Sequence, residues 1–482
     1  MPDFYTKSFA SYNRRRFLTL GSAAALASMV PACSDGARSP KAGLSSPPNF
    51  LFLPIDDLND WIGVLGTNAN VKTPNIDALA GRGMLFTNAH AQAPICSPSR
   101  ASLMSGLYPH QTGLYGQMAD DKLRAAIQAV SPTPFLSEYL KNAGYYTAGR
   151  GKLFHQGAPE GSFDEYFREG DFGPKPPKRL KWDSNKTHTD WGAFPDTDAE
   201  MIDYQTARWG EEWLQKTHEK PFFLGLGMIR PHVPWHAPKK WFDMYPLEEI
   251  KLPPWLETDM DDIPAAGKKL TDVPQMPTIE WAIENKEWRP ILQSYLASIS
   301  FVDHCVGIAV DALRASAYAD NTYIILFSDH GYHLGEKSRF AKMSLWGRST
   351  RVPLIISGPG VKVGKTDSAV GLVDLYPTII DLAGLPKNPE NSGQSLLPHL
   401  QGASSVQRFI TTEYGQDNFA IVNKDYRYIR YADGSEELYD LRVDPHEWKN
   451  VADAPEYSAI KQELAQEIPS VTMAKVAGEM YK

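Results

Sequence analysis

Asn49-Phe50-Leu51-Phe52-Leu53-Pro54-Ile55, followed at once by Asp56-Asp57, is the stretch on which the fold turns. Seven uncharged residues with bulky apolar side chains on both alternating sets do not suit a half-solvated strand. They read as a strand buried on both faces. Similar runs follow at Tyr145–Gly149, Pro221–Leu226, Thr322–Phe327 and Val352–Ile356. Helical signals lie between them. Thr73-Pro74 opens one helix, Thr133-Pro134 opens another that runs to about Ala143, and Ile291–Ala315 is a long one. Buried strands alternating with helices predict a largely parallel sheet covered on both faces. Ligands of such sheets sit beyond the carboxyl ends of the strands, where Asp56-Asp57 and Asp329-His330 both fall.

Outward from this core the texture changes. Residues 156–200 are rich in Gly, Pro, aromatic and charged residues, and residues 250–290 in Pro and acids. Long stretches of this kind beside a pocket are expected to act as lips that choose the substrate. A main body over 49–404 is expected to give way to a small α+β C-terminal subdomain over 405–482. There Tyr426–Tyr431 and Glu437–Leu441 flank a turn at Asp433-Gly434, and a last helix spans about Ser458 to Glu467. Residues 34–48 form a linker. Residues 1–33 carry a formal +3, while the rest, with 45 basic and 56 acidic residues, carries −11. Arg14-Arg15-Arg16 before a short apolar run resembles a twin-arginine export signal, and Val30-Pro31-Ala32-Cys33 a lipoprotein cleavage site. The protein is therefore expected to be exported, to the periplasm or to the cell surface with a lipid anchor at Cys33. No other membrane contact and no nucleic acid partner are expected, because an acidic body is a poor match for phosphate. Only three cysteines occur, so no disulfide framework is expected. Cys305 lies within the long apolar helix and reads as a small core residue.

Cys96-Ser97-Pro98-Ser99-Arg100-Ala101-Ser102-Leu103-Met104-Ser105-Gly106 resembles the signature of the type I sulfatases, Cys-x-Pro-Ser-Arg-x-x-Leu-x-Thr/Ser-Gly. The remaining pieces stand in the family's order. They are Asp56-Asp57, Gly151-Lys152-Leu153-Phe154-His155, Pro231-His232-Val233-Pro234, Ser328-Asp329-His330-Gly331 and Lys342. Asp56-Asp57-Leu58, the Lys152 motif and Tyr245-Pro246-Leu247-Glu248 are similar to the iduronate-2-sulfatase-like branch, within the alkaline phosphatase superfamily. Arg230 stands where that branch often has Lys. The implied fold is α/β, a large mixed, mostly parallel sheet sandwiched by helices.

The residue types suit the chemistry this implies. A sulfate ester carries one negative charge and leaves an alkoxide, so cleaving it needs cations, an acid and an activated nucleophile. Asp56, Asp57 and Asp329 are hard oxygen ligands that would repel one another without a cation, Ca²⁺ or Mg²⁺. The resemblance implies Ca²⁺, with His330 or a nearby residue, and residue 96 itself, completing the shell. It also implies that a formylglycine-generating enzyme oxidises Cys96 to formylglycine (3-oxoalanine), whose hydrate attacks sulfur and then releases sulfate by re-forming the aldehyde. Arg100 would hold that group, Lys152 and Lys342 would clamp the sulfate, and His232 and His155 would serve as acid and base, in roles that could be exchanged. The expected substrate is a sulfated uronic-acid-containing polysaccharide or its oligosaccharides. A phosphoesterase or phosphonate monoester hydrolase, and an inactive polysaccharide-binding homologue, are the alternatives. His110, His236 and His333 are expected to be structural or to contact substrate, and Lys175, Lys178, Arg179 and Lys181 to form a solvated lip or to meet a polyanion.

Overall fold

In chain order the strands of the main body are β1 Asn49–Ile55, β2 Met84–His90, β3 Tyr146–Gly151, β4 Glu165–Phe167, β5 Trp191–Ala193, β6 Phe222–Gly227, β7 Trp235–Ala237, β8 Thr322–Ser328, β9 Arg351–Ser357, β10 Gly364–Thr366 and β11 Val370–Gly371. This is a computed structural model, and it describes residues 46–167, 172–182, 187–404 and 406–476. The export segment 1–33 with Cys33 lies outside the described residues.

The large sheet runs β10-β2-β9-β8-β1-β6-β3-β4, with β11 also on β2. Every neighbouring pair is parallel except those made by β9, which opposes both β2 and β8. β1 is central, bonded to β8 on one side and β6 on the other. Its alternate side chains explain the doubly apolar run. Leu51, Leu53 and Ile55 enter a core shared with the long helix Trp288–Ala315. Phe50 and Phe52 enter the opposite core, with the helices Cys96–Ser105, Leu136–Asn142 and Leu375–Leu382. Burying each such side chain contributes about 1.5–3 kcal/mol, and Leu51→Ala would cost about 2–5 kcal/mol through the cavity it leaves. Trp288–Ala315 is long and apolar enough to cross a membrane, yet it is a core helix, mostly buried within the protein.

Some expectations needed adjustment. The first helix is Pro74–Ala80 as read, but the Thr73 hydroxyl donates to Asp77 and accepts from the Gly63 N–H instead of capping the N–H groups of its own helix. Thr133-Pro134 does not open its helix. The helix starts at Leu136, and the Thr133 hydroxyl donates to the Ser105 carbonyl at 3.3 Å. The two lips also carry structure: β4 and β5 in the first, and helices Ala265–Leu270 and Ile279–Glu284 in the second.

Beyond residue 405, β12 Ile410–Glu413, β13 Phe419–Val422, β14 Tyr426–Arg430 and β15 Glu436–Asp440 form an antiparallel meander. Gly434 closes the expected turn at φ +87°, a left-handed conformation costly for other residues. The helix Ser458–Gln466 packs Leu464 onto Ile421, Tyr428 and Leu438. This small sheet is tied to the approach to Cys96, because the Glu413 N–H donates to the Gln92 carbonyl at 2.9 Å and the Thr412 hydroxyl to Ala91 at 2.6 Å.

Candidate active site

Two adjacent strand ends supply the carboxylates. Ile55 of β1 pairs with Ser328 of β8, so Asp56-Asp57 and Asp329-His330 leave the sheet side by side, all four buried. Asp57 turns through φ +61°, and its N–H donates to Asp329 Oδ1 at 3.2 Å.

Cys96 opens the helix Cys96–Ser105, which Gly106 ends at φ +74°. That left-handed φ favours glycine, and a Cβ there would also displace the Asn391 side-chain amide. One turn into the helix, the Ser99 hydroxyl donates to the Asp329 carbonyl at 2.5 Å. Arg100 Nε donates to Asp329 Oδ2 at 2.8 Å, and its Nη2 lies 3.5 Å from Asp56 Oδ1. The third nitrogen, Nη1, donates to the Lys152 carbonyl, which fixes the end of β3. Lys152 Nζ bonds to Asp56 Oδ2 at 2.5 Å. Lys342 Nζ bonds to Asp57 Oδ1 at 2.6 Å and lies 3.1 Å from Cys96 Sγ. His330 Nε2 lies 3.2 Å from the same sulfur and 3.4 Å from Asp57 Oδ1.

The charges reflect this packing. Burial alone would raise the Asp56 carboxyl, but Lys152, His232, Arg100 and Lys342 hold it well below the usual range. Asp57 is pushed up to about 7 by burial, against the pull of Lys342. Burial, then Asp56, raises the Cys96 thiol. His330 Nδ1 is 3.1 Å from the Gly331 carbonyl and His232 Nδ1 is 2.6 Å from the Val233 carbonyl. A carbonyl only accepts, so in each neutral ring Nδ1 carries the proton and Nε2 is bare. Burial keeps both rings below their ordinary values, and Lys342 adds to this at His232.

Asp56, Asp57, Cys96 and His330 present ligand atoms all within 4.8 Å of one another. Asp57 Oδ2 is buried without a partner among the described residues. Two carboxylates, a bare imidazole nitrogen and an orphaned oxygen fit a hard divalent cation. Asp329 stands just outside this group of four, with its two oxygens held by the Asp57 N–H and Arg100.

His232 Nε2 sits 3.9 Å from Asp56 and 3.8 Å from Asp57, beneath the Phe172 ring, which stacks on it at 4.6 Å and 12°. His155 is more peripheral. Burial, and next Lys152, lower its pKa to about 3, so it also stands neutral. All ten site residues expected from the sequence thus gather around the carboxyl ends of the central strands β1 and β8.

Several supports were not evident from sequence. Asp120 accepts from the backbone N–H groups of His155, Gln156 and Gly157, at 3.2, 2.6 and 2.7 Å, clamping the turn after β3. Asp203 does the same for Ile229 and Arg230 at 2.7 and 2.8 Å. Arg230 spends its guanidinium on the carbonyls of His236, His232 and Phe172, shaping the His232 turn. His110, His236 and His333 are engaged with Glu413, Asp190 and Ser344. Arg179 bonds to the Thr187 and Thr189 carbonyls, and Lys181 to Glu287.

A family model described as Sulfatase matches residues 48–385, and one described as N-sulphoglucosamine sulphohydrolase, C-terminal, matches residues 335–474. A protein named Sulfatase from Formosa agariphila is 45% identical over 449 residues, covering 90% of this chain and 89% of its own. Iduronate 2-sulfatase of Mus musculus is 32% identical over 412 residues, covering 73% and 74%. A solved structure described as a 2-O GAG sulfatase superposes with a TM-score of 0.67 at 24% identity, over 87% of this chain and 91% of that one, a likeness of fold.

Proposed function

The chain belongs to the sulfatase family and is a sulfuric ester hydrolase, and from that premise we propose that it cleaves sulfate from a uronic-acid-containing polysaccharide or its oligosaccharides, with residue 96 as formylglycine and Ca²⁺ at Asp56, Asp57 and His330. The name of the murine relative supports the choice of sugar. One observation carries the reading of the site. The residue 96 side chain is buried 3.1 Å from Lys342 Nζ and 3.2 Å from His330 Nε2, at the edge of the carboxylate pair. A thiol raised by burial stays protonated at neutral pH and is a weak nucleophile there.

When bound, the cation supplies a Lewis acid, and formylglycine supplies a hydrated aldehyde, one hydroxyl to attack sulfur and a second that lets the aldehyde re-form. The chain's own residues do the rest. Arg100, fixed by Asp329 and Asp56, sets a permanent positive charge one helical turn from residue 96, against charge that develops there. The Lys152 and Lys342 ammonium groups hold sulfate oxygens and orient the ester. His232 is the acid: the arriving anion raises the affinity of its bare Nε2 for a proton, which then passes to the leaving sugar oxygen. His155, neutral in the free site, takes the proton lost as sulfate departs. The Phe172 ring keeps water from one face of His232.

We further read residues 1–33 as an export address, which would place the enzyme in the periplasm or, through Cys33, on a membrane surface. A formylglycine-generating enzyme would be the maturation partner.

Mass spectrometry of the peptide that carries residue 96 tests the nucleophile. The expected product is the aldehyde or its hydrate, and an unmodified thiol in active material would overturn it. Sulfate release from 2-O-sulfated uronate oligosaccharides, assayed beside a phosphonate monoester on the same preparation, tests the substrate class. Faster cleavage of the phosphonate ester would reject it.

A further inference from the structure

A second concentration of positive charge lies one loop away from the reacting centre. The segment Lys337–Lys342 carries Lys342 to Asp57, and on the way Arg339 and Ala341 line a cavity of about 550 Å³. The opposite wall comes from the second lip, where the short helix Ala265–Leu270 contributes Lys268 and Lys269, both exposed. The charged residues lining the cavity are Lys268, Lys269, Lys337 and Arg339 against Asp272 alone. Lys337 is already matched, bonded to Asp259 Oδ1 at 2.5 Å.

Arg339 is not matched. It is 7% exposed, and its Nε and Nη1 have no hydrogen-bond partner among the described residues. Only Nη2 is satisfied, donating to the Lys342 carbonyl at 2.8 Å. A buried guanidinium with unmet N–H groups is costly unless an acceptor arrives. The planar fork of an arginine matches carboxylate and sulfate oxygens. Three residues of chain separate the Arg339 and Lys342 backbones by at most about 11 Å, which puts the cavity beside the loop that carries Lys342 to the reacting centre.

We propose that this cavity is an anion subsite, in which Arg339, assisted by Lys268 and Lys269, binds a second anionic group of the saccharide. That group is a second sulfate or a uronate carboxylate, distinct from the sulfate being cleaved. The proposal rests on the saccharide reading above and adds a selection rule to it: a saccharide with a further anion correctly spaced is preferred over one without.

The test compares kcat/KM on four esters: 4-nitrophenyl sulfate, a disulfated hexuronate–hexosamine disaccharide, its monosulfated form, and the monosulfated form with the carboxylate reduced to an alcohol. In the native enzyme the disulfated disaccharide should outperform the reduced one, and the monosulfated form should do so only if the carboxylate is the guest. In Arg339→Gln the ratio of disaccharide to aryl sulfate activity should fall by about tenfold or more, as expected for a lost charge-assisted hydrogen bond. A loss confined to the disulfated form identifies the sulfate as the guest, and a loss shared by the monosulfated form identifies the carboxylate. If Arg339→Gln does not fold, Arg339→Lys and the exposed pair Lys268→Gln/Lys269→Gln carry the same ratio, with a fall of a few-fold expected. An unchanged ratio overturns the subsite, whether both activities fall together, as they would if Arg339 only held the Lys342 loop, or neither falls. A native enzyme that cleaves the aryl ester and no sulfated saccharide would overturn the substrate reading, and the subsite with it.

Discussion

The reacting centre and the cavity beside it both gather cations, but they hold them differently. At the centre each cation has a carboxylate: Arg100 with Asp329, Lys152 with Asp56, Lys342 with Asp57. The carboxylates themselves are fixed at strand ends. At the cavity Arg339 has no carboxylate bonded to it among the described residues, only Asp272 in the same wall, and Lys268 and Lys269 stand on a short helix in a lip. Matched charges keep a shape before substrate arrives, whereas an unmatched one gains its partner from substrate. The first arrangement suits invariant chemistry and the second suits choice.

The strongest way to separate the two is to remove the residue 96 side chain. Cys96→Ala should lower sulfate release by at least about a thousandfold, while equilibrium binding of a sulfated oligosaccharide, measured by calorimetry, persists. Loss of binding as well would mean that the centre does not keep its shape alone. Chelating any divalent cation comes next. Chelation should cost about a hundredfold or more in activity, restored by Ca²⁺. The melting-temperature gain on adding Ca²⁺ should be larger at pH 8 than at pH 5.5. The sign follows from Asp57, whose folded value of about 7 lies above the ordinary 3.8. In the metal-free chain this group's contribution to stability is complete below 3.8 and is lost as pH rises through 7, so the cation relieves most at high pH. Arg100→Gln should lower kcat by about a hundredfold. It should also reduce stability by about 3–5 kcal/mol in urea unfolding, because Asp329 is left buried without its partner. Asp120→Ala is milder, with about a tenfold loss of kcat expected from slackening of the Lys152–His155 turn. The smallest effect is on acid stability. His155 must stay neutral when folded, with a value of about 3 against an ordinary 6.5, so its share of stability is lost as pH falls from 6.5 toward 3. His155→Gln should flatten that part of the profile.

How much of this could be read from the chain depends on where a residue's partner lies. β1 and its two aspartates were legible because burial on both faces leaves a continuous apolar run that ends where the ligands begin. Cys96 and Arg100 were legible because both stand in the Cys96–Gly106 stretch that resembles the sulfatase signature. β9 showed as a strand but not as the one running against the others, since an apolar run carries no direction. β2, Met-Leu-Phe-Thr-Asn-Ala-His, was missed because it is polar in its middle and irregular between Phe86 and Ala89. Thr133-Pro134 imitated a helix start because its hydroxyl had a distant use, at Ser105. Asp120 carried no signal in the sequence: it opens the helix Asp120–Gln128, and only folding reveals that it serves a loop 35 residues later. The orphaned guanidinium of Arg339 had no signature at all, because a missing partner is a property of space and not of sequence.

The central strand of the large sheet is also the first to be made, and its neighbour β8 lies 273 residues downstream, counted from Ile55 to Ser328. At a synthesis rate of about 5–20 residues per second, β1 waits roughly 15–55 s for that neighbour. Lys342, which closes on Cys96, emerges later still. In the finished protein the Cys96 side chain is wholly buried. The interval of translation is therefore the time in which residue 96 is still exposed, and the order in which the strands are laid down sets how long the maturation proposed above would have.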